Sequence, residues 1–288
     1  MNKFNYLIEK IMNASIIEEP FRHIHIHNFL HDEDLNDLIN SNEIKIEKAS
    51  SDTDLIEKLI SSDYKLIDFP GCTQDLKGYL NWHRTKETTT AIHSATSGYG
   101  LAFRLQEYKE NSILAEFNEF AQSDNFAMSM LSKFNVKVNE YTTDIGVQKF
   151  LDGYEISPHP DIRRKAITFM FNINPHDDCE KLNHHTKYLK FKNKYKYIQD
   201  LWSNTNKIER SWVPWSWCTV EKEQKENNSI VIFSPSNRSL HAVEADYNHL
   251  NGQRTLLYGN IWRESTNDLR TMSWEHMEEL RILRERNL

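Results

Sequence analysis

Apolar residues recur at helical spacing over much of the first 135 positions, and from Val136 onward they cluster in short runs of strand type. Phe4, Leu7, Ile8, Ile11 and Met12 predict a helix within residues 1–20. Ile24 and Ile26 alternate with His23, His25 and His27, so a strand is expected from His23 to Phe29, opened by Pro20-Phe21-Arg22. A helix follows from about Asp32 to Asn40. The polar stretch from Leu76 to Gly100, with Thr88-Thr89-Thr90 and Gly98-Tyr99-Gly100, is expected as loop and short strands. Ser112 to Phe134 reads as one helix or two.

Val136–Tyr141, Gly146–Phe150, Ala166–Asn174, Ser229–Phe233 and Arg254–Trp262 are short β-type runs separated by turn residues, the pattern of an all-β sandwich or barrel core. Leu182–Asn228 interrupts them. Too long for an ordinary connection, it is expected to be an insertion with structure of its own, or a lid. Ser273–Arg286 looks helical, with Ser273 as N-cap. The expected organisation is one domain over 1–288: helices and strands over 1–135, a β core over 136–262 with the 182–228 insertion, and a C-terminal helix within 263–288.

Composition narrows the partners. A formal net charge of −7 argues against nucleic acid as the main partner. The three cysteines, Cys72, Cys179 and Cys218, form no CxxC pair, so neither a disulfide framework nor a thiolate zinc site is expected. A reducing cytoplasm is the natural setting. The first 17 residues lack the apolar core of a signal peptide, and no run approaches the ~20 apolar residues of a membrane span.

The chemistry concentrates in three places. Gly153-Tyr-Glu-Ile-Ser-Pro-His159-Pro-Asp161 offers an imidazole and a carboxylate two positions apart, which extended backbone would place on one side. His241 follows the apolar run Ser229–Phe233, 82 residues after His159. Arg254 lies 13 residues further on, a permanently charged fork suited to a carboxylate. Two histidines and one carboxylate can hold one face of a non-haem Fe(II) and leave its other positions open.

With these motifs the chain resembles the Fe(II)/2-oxoglutarate-dependent dioxygenase superfamily, in particular its prolyl-hydroxylase-like branch. The matching segments are His159-Pro-Asp161, the strand Ala166–Asn174, His241-Ala-Val and Gly252-Gln-Arg254-Thr, with Pro20–Leu30 similar to a first strand of that branch. The resemblance implies a double-stranded β-helix (jelly-roll, cupin-like) core with N-terminal helices. It implies that His159, Asp161 and His241 bind Fe(II) and that Arg254 pairs with the distal carboxylate of 2-oxoglutarate. The implied reaction uses O2, releases succinate and CO2, and hydroxylates an unactivated C–H bond. Where family members often carry tyrosines that touch 2-oxoglutarate, this chain has Phe150 and Asn172. Asn172, Thr168 and Gln148 are therefore the expected secondary contacts. Asp161 favours hydroxylation over halogenation, while desaturation or cyclisation would use the same ligands. A small molecule, such as an amino acid or metabolite intermediate, is the first expectation for the substrate. A peptidyl, prolyl-type substrate comes second and a nucleic acid third. The alternative from another class is a metal-containing, cupin-like binding module.

Other signals have plainer readings. His23, His25 and His27 suit a polar strand face better than a second metal site. The group His176, Asp178, His184 and His185 is expected as solvated loop. Lys187–Tyr197, with alternating lysines and aromatics, fits a solvated edge strand better than an anion clamp. Trp212, Trp215 and Trp217 could wall a substrate site or anchor the insertion, and Trp215, Arg104 and Tyr258 are the candidate substrate contacts.

Overall fold

The computed structural model describes residues 2–67, 75–85, 98–176, 178–204 and 209–264. The first half of the chain holds α1 (Tyr6–Asn13), β1 (Ile24–Ile26), α2 (Asp32–Ile39), α3 (Asp52–Ser61), β2 (Tyr64–Ile67), α4 (Leu76–Thr85), β3 (Gly98–Tyr99), β4 (Ala102–Leu105), α5 (Ile113–Ala121) and α6 (Asp124–Lys133). Then come β5 (Tyr141–Phe150), β6 (Glu155–His159), β7 (Lys165–Asn172), β8 (Thr186–Phe191), α7 (Tyr197–Asn204), β9 (Cys218–Gln224), β10 (Ile230–Phe233), β11 (His241–Glu244) and β12 (Arg254–Arg263).

The strands form two antiparallel sheets, ordered β1-β10-β7-β12-β5-β4-β2 and β3-β6-β11-β8-β9. Within β5–β12 the last strand lies between the first and third, and the seventh between the second and fourth. This is the strand order of a double-stranded β-helix, as expected from the sequence.

Burial explains the apolar runs. Along β7, Ile167, Phe169 and Phe171 join the cluster that contains Phe4, Phe117 and Phe126 of the N-terminal helical layer, while Met170 packs on the other face with Phe233 and Leu256. A strand covered on both faces reads as continuous hydrophobicity rather than alternation. Gly259 pairs with Phe169, and a Cβ there would lie 2.3 Å from that ring. Ser112 and Ser123 cap the two helices of the 112–134 stretch by accepting from Ala115 N–H and Phe126 N–H, so the second cap marks the break between them.

Several expectations change. Val136–Tyr141 is not a strand; β5 begins at Tyr141. Leu76–Thr85 is helical, with Tyr79 fully buried in the main hydrophobic cluster, where loop and short strands were expected. The 182–228 stretch does not merely interrupt the core. It supplies β8 and β9, and only the part between them, with α7, is extra. That part covers the outer face of the five-stranded sheet through Ile198, Trp202 and Val213, packed with Leu189 and Leu240. The Lys187–Tyr197 run is not an edge strand: its first residues belong to β8, inside the sheet, while β9 is the edge. The helix expected over Ser273–Arg286 lies outside the described residues.

Candidate metal centre

β6 and β11 are antiparallel neighbours, and their register sets His241 directly opposite His159. The ring centroids are 4.3 Å apart. Asp161 arrives by a different route from the one expected. β6 ends at His159, and Asp161 sits at φ +63°, in the left-handed region that Asp tolerates better than most residues. This backbone reversal, not strand alternation, brings the carboxylate back. Its Oδ1 lies 3.7 Å from His159 Nε2 and its Oδ2 3.8 Å from His241 Nε2.

Hydrogen bonding commits the far side of each ring. His159 Nδ1–H donates to the Ser157 carbonyl at 2.8 Å, and His241 Nδ1–H to the Ser239 carbonyl at 3.0 Å, an assignment of tautomer from acceptor chemistry. Both Nε2 lone pairs are left facing the carboxylate. Burial, reinforced by the neighbouring His241, pushes His159 down to about 3, and burial also lowers His241, so both rings are neutral at physiological pH. Burial alone would push Asp161 up. The Lys165 ammonium at 2.6 Å outweighs it and holds the carboxyl well below the usual range. The Thr168 hydroxyl donates to Asp161 Oδ2 at 2.7 Å. Two neutral nitrogens and one ionised oxygen, within 4.8 Å of one another and each held by an outer partner, fit a divalent metal of the imidazole–carboxylate class, Fe(II) included.

The same cavity, about 410 Å³, reaches Arg254 at the start of β12. Arg254 is 2% exposed. Its Nη2 donates to Thr186 Oγ1 at 2.8 Å, and the guanidinium lies over the Phe150 ring, 4.7 Å from the centroid. The Tyr247 hydroxyl accepts from the Arg254 backbone N–H at 3.0 Å and donates to the Phe150 carbonyl, tying the paired ends of β5 and β12 together. Burial lowers Arg254 to about 10, which leaves it charged at neutral pH. Gly252 must lack a side chain, because a Cβ would lie 2.6 Å from the His176 ring.

The remaining candidates separate. Gln148, Arg104 and Tyr258 line the cavity. Thr168 lies behind Asp161 and does not line it. Asn172 does not reach the cavity: its amide donates at 3.1 Å to the Gln224 and Glu226 carbonyls, a tether from β7 to the β9–β10 turn. Trp215 also points elsewhere, donating to Glu155 at 2.7 Å; Trp212 and Trp262 are tryptophans on the wall. Sequence reasoning missed Tyr154, Lys165, Thr186 and Arg210 as lining residues. Tyr154 sits within the Gly153–Asp161 segment already singled out, so its place beside the ligands was the one readable signal.

Two further groups of metal-type donors exist among the described residues: His25 with His27 and Glu226, and Asp52 with His83 and His249. Neither lines the cavity. His23, expected on a polar face, is buried against Phe21 and Tyr188. His184 and His185, expected as solvated, are buried too; His184 packs edge-on to Tyr247 and both lie close enough to Arg254 to feel its charge.

No protein-family model matches the chain, and no curated protein matches it in sequence. Solved structures do resemble it in shape. A prolyl-4-hydroxylase of Pseudomonas putida aligns over 91% of this chain and 100% of its own, at 7% identity and a TM-score of 0.41. A Trichoplax adhaerens prolyl hydroxylase, in complex with a hypoxia inducible factor peptide fragment, aligns over 91% and 89%, at 10% identity and 0.45. HygX of Streptomyces hygroscopicus, with nickel, 2-oxoglutarate and hygromycin B bound, aligns over 75% and 92%, at 8% identity and 0.33.

Proposed function

We propose that this protein is an Fe(II)- and 2-oxoglutarate-dependent oxygenase that hydroxylates a C–H bond of a small molecule. One observation carries the reading: two imidazole Nε2 atoms and an ionised carboxylate converge at one point of a cavity that also contains a buried arginine with no carboxylate partner among the described residues. A simple metal-binding barrel has no need for that second feature. His159, Asp161 and His241 would hold the metal, which supplies O2 activation coupled to decarboxylation of the co-substrate. Arg254 would grip the distal carboxylate in bidentate fashion, its plane fixed by Phe150 and Thr186. Lys165 and Thr168 keep Asp161 ionised and oriented, and the apolar wall of Met170, Val243 and Leu256 limits water around the reacting bond. A cavity of about 410 Å³ suits a co-substrate and a compact second molecule, which favours a small-molecule substrate.

The test is anaerobic titration of Fe(II) into the metal-free protein with 2-oxoglutarate, followed by the visible metal-to-ligand charge-transfer band. The band is expected in the wild type, absent in His159→Ala, and dependent on at least about 100-fold more 2-oxoglutarate in Arg254→Ala, as befits loss of a buried charge-assisted pair. Bound iron without a band in the wild type would favour the binding module.

A further inference from the structure

Four cations and two carboxylates are among the described residues that line the cavity. Arg104 gives Nη1 to Asp144 at 2.5 Å and Nη2 to the Ile145 carbonyl at 2.8 Å. Lys165 is held by Asp161. Arg254 and Arg210 therefore remain without a carboxylate, in a space that encloses both.

Arg210 is the more exposed to question. Only 5% of it is solvent-accessible, its Nε is buried without an acceptor, and its guanidinium makes no hydrogen bond or ion pair among the described residues. The adjacent Glu209 instead accepts at Oε1 from the backbone N–H groups of Arg163 and Arg210. Glu209 and, less strongly, Asp161 are near enough for their charge to favour the protonated guanidinium, but neither bonds it: Glu209 Oε1 also lies 3.7 Å from the Arg163 guanidinium, and both Asp161 oxygens already accept from Lys165 and Thr168. A guanidinium does not escape burial by losing its proton: burial lowers Arg210 only to about 10. An unpaired buried charge is among the costlier arrangements a fold can hold, and it makes sense where a ligand supplies the counter-charge.

We propose that Arg210 recognises a carboxylate on the molecule that enters this cavity, with Trp212 two residues along packing on its apolar part. Calling that molecule the substrate rests on the oxygenase reading; the anion site itself does not. The two carboxylates of 2-oxoglutarate are accounted for by Arg254 and the metal, so a second free fork calls for a further carboxylate, carried by another molecule. One planar fork beside the Asp161 carboxylate matches a monoanion better than a phosphate dianion.

Thermal melting with Mn(II), with and without 2-oxoglutarate, tests this at constant ionic strength set by chloride. The probes are sodium butyrate and hexanoate against butyramide and hexanamide. In the wild type loaded with both Mn(II) and 2-oxoglutarate, the carboxylates are expected to raise Tm by several degrees and the amides not. Arg210→Met should lose the carboxylate shift, keep the 2-oxoglutarate shift, and melt no lower than the wild type when free of ligands, because it removes an uncompensated charge. Arg210→Lys should keep part of the carboxylate shift. Equal effects of acid and amide, no carboxylate shift in the wild type, or a shift that survives Arg210→Met overturns the proposal. So does an Arg210→Met protein that melts well below the wild type or fails to fold, since the arginine would then be structural. Loss of the 2-oxoglutarate shift in that variant also overturns it, by assigning Arg210 to the co-substrate. A carboxylate shift that depends on Arg210 in a wild type indifferent to 2-oxoglutarate sinks the oxygenase reading and leaves the anion site standing.

Discussion

Two clusters of histidine and aspartate lie among the described residues, and they differ in what their nitrogens are free to do. In the first, His159 and His241 donate through Nδ1 to backbone carbonyls and present bare Nε2 atoms to Asp161 across 3.7–3.8 Å. In the second, His83 bridges two carboxylates, Nδ1 to Asp52 and Nε2 to Asp152, each at 2.7 Å. Carboxylates only accept, so both nitrogens of His83 carry protons. His249 accepts the Asp152 backbone N–H at Nδ1 and donates from Nε2 to Asp52 at 2.8 Å. No lone pair is left over. The same residue types thus make a site where outer partners leave gaps between the donors, and a clasp where every atom is already bonded. The clasp joins α3, α4, the β5–β6 turn and the loop before β12, and the Asp152 carboxylate also accepts from Tyr247 N–H.

The contrast breaks most directly on metal binding. Calorimetric titration of Mn(II) should give one site. Asp161→Ala should weaken it by more than about 100-fold, beyond the 10–100-fold typical of outer partners, whereas Asp52→Ala should leave it intact. A second equivalent that disappears in Asp52→Ala would erase the distinction between the clusters. Stability should show the opposite pattern. His83→Gln leaves two nearly buried carboxylates without their shared cation and is expected to cost about 2–3 kcal/mol in urea denaturation, with Mn(II) affinity unchanged.

A smaller effect is common to both regions. His159, His241 and His249 are all held below their ordinary value of 6.5, chiefly by burial. The unfolded chain takes up protons near 6.5 that the folded chain refuses. Their contribution is therefore present above pH 6.5 and is lost as the pH falls. Between pH 7 and 6 the metal-free protein should lose roughly 0.5–1 kcal/mol through His159, and His241 and His249 add to that loss in the same direction. His159→Gln and His249→Gln should each flatten that slope. Only the former should also remove the stabilisation by Mn(II), which itself fades on acidification because protons compete for the ligands.

The grouping of the candidate metal ligands was legible because their residue types are rare in combination and their spacing crosses a recognisable β run. His159, Asp161, His241 and Arg254 meet in one cavity. The mechanism of convergence was not legible: an alternation rule puts Asp161 beside His159, whereas a left-handed turn does so here. Asn172 lies on the expected strand, yet at its end, where backbone carbonyls of the β9–β10 turn claim its amide. β8 and β9 were hidden because lysines and glutamates fill their outward positions, so their pattern resembled a polar insertion. The clasp was invisible for another reason. Its members come from positions 52, 83, 152 and 249, and no local pattern links them.

The direct pairing of His159 with His241 also dictates when the centre can come into being. Its two imidazoles are 82 positions apart and meet only when β6 and β11 zip together, a closure of long sequence range that is slow relative to local helix formation. A metal ion has little to hold in a chain that has not yet made this pairing. Bound metal should therefore leave the refolding rate nearly unchanged and act on the unfolding rate, making the ion a lock on the finished fold rather than a seed for it.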